Sequence, residues 1–178
     1  APYNREYLLG TPSRLIFKKE RVETLVSIGC FCLMPNHFHI LLREKSEGGI
    51  SRFMQKVGTA YAKYFNEKEE RIGGLFVKPF RSKHIDSDAY LNRIIPYIHL
   101  NPAELYESGW KDGEVRDMHR LEKRLMEYHY SSLQDFEGAE RPEHAILDLA
   151  AVGAVYDISP RITDTLQDAT EYYRELKW

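Results

Sequence analysis

The chain has 178 residues, enough for one domain with a main core and a small appendage but not for two independent cores. Hydrophobic residues make up 43% of the sequence and charged residues 29%, which is typical of a water-soluble globular protein. No run approaches the roughly 18 apolar residues of a membrane-spanning helix, which excludes a polytopic membrane protein. Cys30 and Cys32 are too few for a disulfide framework, so we expect a cytoplasmic protein without a membrane partner.

The formal net charge of -2 hides an uneven distribution of charge along the chain. Between residues 43 and 83, ten Lys and Arg residues accompany five Asp and Glu residues, a net charge of +5. The remainder of the chain therefore carries a net charge of -7. A basic middle segment in an acidic chain favours a local phosphate-binding face, although ordinary solvated faces would produce the same pattern.

The first half of the chain predicts a strand, a helix and a hairpin. Tyr3–Leu9 is β-prone, and Lys18–Ser27 predicts a short helix. Two apolar, β-prone runs follow, Ile28–Leu33 and His37–Leu42. The residues between them, Met34-Pro35-Asn36, include two turn formers, which predicts an antiparallel hairpin.

Two further helices are predicted on either side of an extended segment. From Ile50 the apolar residues recur at the i, i+3, i+4, i+7 spacing of an amphipathic helix, which should end before Gly73. Phe76–Ile85 is expected to be extended. The next helix should begin at Asp86 or Ser87 and end at Pro102. Within it, Pro96 removes one helical hydrogen bond and is expected to kink or restart the helix.

The order of these elements predicts an α+β protein with a ferredoxin-like βαββαβ core. Its antiparallel sheet would carry helices on one face and leave the other face open to a ligand. We assign residues 1–112 to this core and residues 113–178 to a C-terminal helical extension of the same domain. Helices are expected in the extension at Asp117–Glu127, Glu143–Tyr156 and Pro160–Leu176, with an irregular stretch over Tyr130–Pro142.

His37 and His39 lie two residues apart on a predicted strand, so both imidazoles should project from the same face. Phe38, Ile40 and Leu42 should then point the other way, into the core. Two imidazoles on one face form half of a divalent metal site. The pair alone is a weak signal, because histidines on half-buried strands often make ordinary hydrogen bonds.

The two cysteines allow a second interpretation, in which the metal site is of a different kind. Cys30, Cys32 and the two histidines could form a structural Cys2His2 zinc site. On one continuous strand Cys30 and His39 would be roughly 30 Å apart, so only the hairpin could bring them together. In that arrangement Cys30 would lie about opposite Ile40.

A second group of polar residues lies on the helix that precedes Pro102. Tyr97 and Asn101 are four residues apart, which places a phenol and a carboxamide on one helical face, whereas His99 points elsewhere. Tyr90 shares much of this stripe. Tyrosines on an amphipathic helix are commonly core residues with a solvated hydroxyl, and that interpretation remains open for both.

The stretch Leu33-Met34-Pro35-Asn36-His37-Phe38-His39-Ile40-Leu41 resembles the HUH motif of single-tyrosine transposases of bacterial insertion sequences. The form is the one seen in REP-associated tyrosine transposases. The resemblance covers roughly residues 28 to 138 and continues through Phe53-Met54-Gln55, Tyr61-Ala62-Lys63-Tyr64-Phe65-Asn66, Gly74-Leu75-Phe76, Pro79-Phe80-Arg81, Tyr97-Ile98-His99-Leu100-Asn101-Pro102 and Tyr130-Ser131-Ser132-Leu133. The segment between Tyr3-Asn4-Arg5 and the hairpin is shorter than the family pattern.

The resemblance implies a metal-dependent endonuclease and strand transferase acting on single-stranded or hairpin DNA. By position, His37 and His39 match the metal ligands, Tyr97 matches the nucleophile, and Asn101 matches the residue that completes the metal site. The implied cofactor is Mg²⁺ or Mn²⁺, and the implied intermediate is a 5'-phosphotyrosine. DNA is the implied partner, and a homodimer is a further expectation.

The basic middle segment is expected to bind the DNA, with an affinity that falls steeply as salt rises. The candidate residues are Arg52, Lys56, Lys63, Lys78, Arg81 and Lys83. Two alternatives remain open. One is a catalytically silent DNA-binding module derived from such a transposase, and the other is a metal-dependent hydrolase that uses water in place of Tyr97.

Overall fold

The structure is a computed structural model that describes residues 12–19, 21, 23–77 and 79–150. The strand expected at Tyr3–Leu9 and the helix expected at Pro160–Leu176 lie outside these residues. Within them are α1 (Ser13–Phe17), β1 (Val26–Leu33), β2 (Phe38–Glu44), α2 (Gly49–Lys68), α3 (Asp88–Leu100), α4 (Met118–Met126), α5 (Leu133–Phe136) and 3-10 helices at Asn101–Leu105, Trp110–Asp112 and Pro142–Ile146. None of these helices is long and apolar enough to cross a membrane.

The predicted hairpin is confirmed, since β1 and β2 pair antiparallel and form the sheet of the described residues. The Met34 N–H donates to the His37 carbonyl at 2.8 Å and closes the turn that contains Pro35. In the resulting register Cys32 lies opposite His39. The ladder shifts by one residue between Ile28 and Cys30, at a β-bulge.

Helices cover both faces of the hairpin, whereas the sequence predicted helices on one face. Leu41 is buried in a cluster with Ile95 and Ile98 of α3. On the opposite face the ring of Phe38 meets that of Phe76 at 6.0 Å, and Phe76 in turn meets Tyr61 of α2 at 5.9 Å. The deeply buried side of β2 is therefore the side of Leu41 and His39, and the prediction that Phe38, Ile40 and Leu42 face the main core is wrong.

Both long helices predicted from the sequence are confirmed. At the start of α2, a Cβ on Gly49 would lie 2.4 Å from the Leu25 carbonyl oxygen, so only glycine permits this close approach. At the start of α3, the Ser87 hydroxyl accepts a hydrogen bond from the Tyr90 N–H at 3.3 Å. The helix then runs through the buried Pro96 without interruption, so the expected restart does not occur.

The strand expected at Phe76–Ile85 is wrong, because the described residues of this segment form no strand. Pro79 has no N–H to donate to a ladder. Phe76 packs against Phe38, and Ile85 is partly buried. Between them Val77 and Phe80 are 93% and 41% exposed, so the middle of the segment has no buried face against the sheet. With two strands among the described residues, the architecture is α+β, and the full ferredoxin-like core is not found within them.

Two of the predicted helices are also wrong where the structure describes them. A helix was expected over Lys18–Ser27. Instead α1 ends at Phe17, and β1 begins at Val26, whose side chain is buried. In place of a helix beginning at Glu143, the chain forms a 3-10 helix and then extends at Leu147. The reason is a tertiary contact, because residue 147 bridges β1 and the Asp148 N–H donates to the Ile28 carbonyl at 2.8 Å.

The predicted helix at Asp117–Glu127 is confirmed as α4, and the expected irregular stretch after it contains the short α5. A second hydrophobic cluster joins α4 to the end of α3 around the fully buried Trp110. Its members are Leu100, Ala103, Trp110, Leu121, Leu125 and Leu133. The core therefore continues across the boundary that the sequence predicted after residue 112.

Residues 130–132 cover the edge of β1 that does not pair with β2. The Leu33 N–H donates to the Tyr130 carbonyl at 2.8 Å, and the Ser132 N–H donates to the Phe31 carbonyl at 2.9 Å. The Ser132 hydroxyl also accepts from the Phe31 N–H at 2.9 Å. These bonds satisfy backbone groups of β1 that would otherwise be buried without partners.

His99 links this edge to α3 from a fully buried position. Its Nε2 lies 2.8 Å from the Ser132 hydroxyl oxygen, and its ring stacks edge-on against Phe136 with centroids 4.6 Å apart. Burial, together with the nearby positive charge of Arg141, lowers the pKa of His99 from 6.5 to about 3. His99 is therefore a neutral structural residue near pH 7.

Acid is expected to destabilise the fold through His99, whose pKa returns to 6.5 when the chain unfolds. The free energy of unfolding should be highest above pH 6.5 and should fall by about 1.4 kcal/mol per pH unit as the pH drops towards 3, because only the unfolded state takes up this proton. Urea unfolding of wild type and His99→Gln at pH 7, 6, 5 and 4 measures this loss. Wild type should lose stability more steeply, and equal pH slopes would contradict a neutral His99.

Candidate functional site

The structure brings together four residues from the hairpin and the end of α3. His37 lies just before β2 and His39 lies within it. Their rings are on the same side of the hairpin, with centroids 5.0 Å apart and planes at 90°. The ring of Tyr97 packs edge-on against His39 at 5.4 Å, and Asn101 follows one turn later. Strand alternation and the four-residue spacing on a helix place each pair, and the packing of α3 on the hairpin joins them.

The neighbouring Asn36 orients His37. The Asn36 side-chain oxygen lies 2.7 Å from Nδ1 of His37. Because an amide oxygen only accepts hydrogen bonds, Nδ1 is the donor in this contact, and Nε2 is the ring nitrogen left for another partner. His37 is exposed to solvent.

His39 is neutral over the physiological pH range. Burial, followed by the charges of His37 and Lys111, lowers its pKa from 6.5 to about 4. A side-chain hydrogen bond with Asn101 opposes this shift. The neutral imidazole is the form that binds a metal ion.

The amide of Asn101 is fixed from the other side by the backbone of α3. Its Nδ2 donates to the Tyr97 carbonyl at 2.7 Å, and the residue is buried where α3 passes into the 3-10 helix. This hydrogen bond holds the Asn101 side chain against the backbone of α3. Tyr97 itself is half-buried, with its ring against His39.

The donor set of this site fits a hard or borderline divalent cation. Two imidazoles and one carboxamide are grouped, and each histidine has a hydrogen-bonding neighbour, as ligating histidines usually do. No group of three or more His, Cys, Asp or Glu side chains among the described residues is placed to hold a metal ion. Any ion held here would therefore depend on Asn101, and three protein ligands would leave coordination positions for water or substrate.

The cysteines do not form the alternative zinc site. Cys30 lies opposite Leu41, not Ile40 as expected, and both thiols are completely buried in the cluster that contains Ile95. Burial raises the pKa of Cys30 far above its usual range and that of Cys32 to about 12. Both are therefore core thiols, and no group of three or more His, Cys, Asp or Glu side chains among the described residues is placed to hold a metal ion.

The basic residues predicted to bind DNA are exposed wherever the structure describes them. Arg52, Lys56 and Lys63 share a stripe of α2 about 40° wide, on its solvent-exposed side. Arg81 and Lys83 are exposed in the irregular segment before α3, where the Lys83 ammonium lies 4.8 Å from the Tyr90 ring centroid. Lys78 falls outside the described residues. DNA binding by these residues remains a prediction.

Two residues near the site were missed from the sequence. Lys111 forms an ion pair with Glu104 at 2.6 Å, and its charge contributes to the low pKa of His39. Tyr128 donates its hydroxyl proton to the Leu33 carbonyl at 2.6 Å, and burial raises its pKa to about 12. No local pattern marks either residue, because only the tertiary fold brings them near the hairpin.

Comparison with known proteins gives one match. A family model described as transposase IS200 like matches residues 12–101, which is 90 of the 178 residues. No curated protein and no solved structure matches the chain. The matched region contains the hairpin histidines and Tyr97 and ends at Asn101. Since the match covers half of the sequence and all four residues of the site, the chain belongs to the family of IS200-like transposases.

Proposed function

We propose that this protein cleaves and rejoins single-stranded or hairpin DNA through a covalent 5'-phosphotyrosine on Tyr97. In this proposal His37, His39 and Asn101 hold a divalent cation, Mg²⁺ or Mn²⁺. Membership of a transposase family supports the DNA-cleaving activity. The observation that carries the rest is the position of the Tyr97 ring, 5.4 Å from the ring of His39 and one helical turn from Asn101.

The reaction follows from the residue types in the site. The Tyr97 oxygen loses its proton and attacks phosphorus, a bond forms between them, and the bond from phosphorus to the 3' oxygen breaks. The leaving oxygen takes up a proton and becomes a 3' hydroxyl. Attack by a 3' hydroxyl on the phosphotyrosine reverses these bond changes, so strands can be joined without ATP. When bound, the divalent cation would polarise the phosphate and neutralise its developing charge.

The protein's own residues hold the reactants in place. Asn36 fixes the ring of His37, burial keeps His39 neutral, and the Asn101 amide is tied to the backbone carbonyl of Tyr97. The last bond connects the nucleophile's helix directly to the metal-binding group. A change in the position of α3 would therefore move the tyrosine and the Asn101 oxygen together.

The proposal is tested by incubating the protein with a labelled single-stranded hairpin and Mn²⁺ or Mg²⁺ and looking for an adduct that survives denaturation. Wild type should form the adduct with either ion and none with EDTA. His37→Ala and His39→Ala should form none, because each removes one of three ligands. His119→Ala is the matched control, since this histidine is exposed on α4 and should leave adduct formation unchanged.

Three other results would contradict the proposal in different ways. Cleaved product without an adduct would indicate that water attacks in place of Tyr97. Binding without cleavage would indicate a silent DNA-binding module. Adduct formation that continues in both His37→Ala and His39→Ala would show that the histidine pair does not hold the required ion.

A further inference from the structure

A groove lies between α4 and the segment that leaves the 3-10 helix Asn101–Leu105. Its volume is about 390 Å³. The residues that line it are Leu105, Tyr106, Glu107, Arg116, Asp117, Arg120, Leu121 and Arg124. Three arginines thus converge on one cavity, in a part of the chain for which the sequence predicted no binding role.

The arginines carry charge that the fold does not neutralise. Among the ion pairs formed by described residues, none involves Arg116, Arg120 or Arg124. Arg120 and Arg124 are one turn apart on α4, where like charges repel. All three side chains are exposed. An arrangement that costs stability and leaves three guanidinium groups together in a cavity favours binding of an anion.

The two acidic residues in the lining reduce this positive charge only in part. The carboxylate of Asp117 caps α4 and accepts a hydrogen bond from the Arg120 backbone N–H at 2.9 Å. Its negative charge is thereby directed at the start of the helix. Glu107 is the second acidic residue in the lining. On the opposite wall the Arg124 guanidinium lies 5.7 Å from the Tyr106 ring centroid, which holds that side chain across the groove.

The groove is connected to the candidate active site by the 3-10 helix Asn101–Leu105. The 3-10 helix begins at Asn101 and ends at Leu105, next to Tyr106. At a rise of about 2 Å per residue it spans about 8 Å. A stacked DNA strand rises about 3.4 Å per nucleotide. A strand with one phosphate beside Asn101 would therefore bring a phosphate two to four nucleotides away to the arginines.

We propose that Arg116, Arg120 and Arg124 form a second subsite that binds the phosphodiester backbone of the DNA a few nucleotides from the bond being cleaved. This rests on the proposed function and adds a location and a ligand class to it. The subsite binds phosphates and not bases, because the groove presents guanidinium groups whose charge is independent of sequence. Its contribution should therefore be equal for unrelated sequences and sensitive to salt.

The test measures binding of a labelled hairpin oligonucleotide to the whole protein by anisotropy, with EDTA present so that no cleavage occurs. The double variant Arg120→Gln/Arg124→Gln should bind at least tenfold more weakly than wild type at low salt. The slope of log Kd against log salt should fall by ~0.7 for each single-strand phosphate that the variant no longer neutralises. Lys123→Gln is the control, because Lys123 lies on the same helix but pairs with Glu127 at 3.9 Å, outside the groove.

A second set of oligonucleotides locates the phosphates that the groove binds. Blocks of successive phosphates are replaced by neutral methylphosphonates along the strand. One block should weaken binding by wild type and have no effect on the double variant. Circular dichroism and thermal melting of each variant show that the fold is retained. If Arg120→Gln/Arg124→Gln melts at a lower temperature than wild type, the double variant Arg116→Gln/Arg120→Gln repeats the comparison.

The outcomes separate this proposal from the proposed function. If wild type forms the adduct but the double variant binds like Lys123→Gln, the groove does not bind DNA and the catalytic proposal stands. If the double variant loses affinity and salt dependence but wild type forms no adduct, the groove binds DNA and the catalytic proposal fails. Failure of wild type to bind any oligonucleotide at low salt overturns both.

Discussion

Replacing Tyr97 with phenylalanine is expected to eliminate the covalent protein–DNA adduct while leaving DNA binding and folding unchanged. The substitution removes one oxygen and keeps the ring that packs against His39 at 5.4 Å. The adduct should form at least ~10³-fold more slowly, because no other group on the ring can attack phosphorus. Denaturing gels measure the adduct, and anisotropy measures the binding that should persist.

Tyr90→Phe is the matched control for this experiment. Tyr90 lies on the same helix two turns earlier, about 10 Å away along the axis, and its ring is covered by the Lys83 ammonium at 4.8 Å. This variant should form the adduct at the wild-type rate. Tyr128 is also a poor candidate for the nucleophile, because its hydroxyl donates to a backbone carbonyl and its pKa is raised to about 12. An adduct that survives in Tyr97→Phe and disappears in Tyr90→Phe would show that the nucleophile is assigned to the wrong turn of α3.

The two pairs of site residues could each be predicted from the sequence, because each pair lies within one strand or at the end of one helix. His37 and His39 follow from alternation on a strand, and Tyr97 with Asn101 follows from the period of a helix. The hairpin and α2 could also be predicted from local patterns, since Pro35 and Asn36 mark the turn and the apolar series from Ile50 has the period of a helix. The resemblance to a known family supplied the step that neither pattern contains, namely that the two halves meet.

Tertiary contacts decided the elements that the sequence predicted wrongly. Phe76–Ile85 has the composition of a strand, yet Pro79 removes a ladder donor and the exposed Val77 leaves the middle of the segment without a buried face. Leu147 has the apolar character of a helix position, but its bridge to Ile28 extends the chain. The role of Lys111 near His39 depends on the packing of the 3-10 helices around Trp110. Local periodicity carries no information about such contacts.

The second large effect is expected from Arg141, the residue that holds the segment covering the edge of β1. Its guanidinium pairs with Asp135, and it also donates to the carbonyls of Ser131 and, at 2.9 Å, of His129. The side chains of Arg141 and Asp135 are 11% and 0% exposed. The same segment carries Ser132, which bonds to β1 and to His99 on α3.

Arg141→Ala should lower the free energy of unfolding by about 3 to 5 kcal/mol, because it leaves the Asp135 carboxylate buried without its partner. The Oδ1 oxygen of that carboxylate already has no hydrogen-bond partner among the described residues and lies 3.6 Å from Nδ1 of His144. Urea unfolding at pH 7 measures the loss. Arg141→Lys should recover little of it, since an ammonium cannot reproduce the planar fork that reaches several acceptors at once.

Two comparisons establish that the loss comes from burial of the carboxylate. The matched control is Lys63→Ala, which breaks an exposed ion pair with Glu67 at 3.9 Å and should cost less than about 0.5 kcal/mol. The double variant Arg141→Met/Asp135→Asn removes both charges and should be more stable than Arg141→Ala, because no unpaired charge remains. If Arg141→Ala is no more destabilising than Lys63→Ala, the pair does not hold the segment, and the edge of β1 must be secured by its hydrogen bonds with Tyr130 and Ser132.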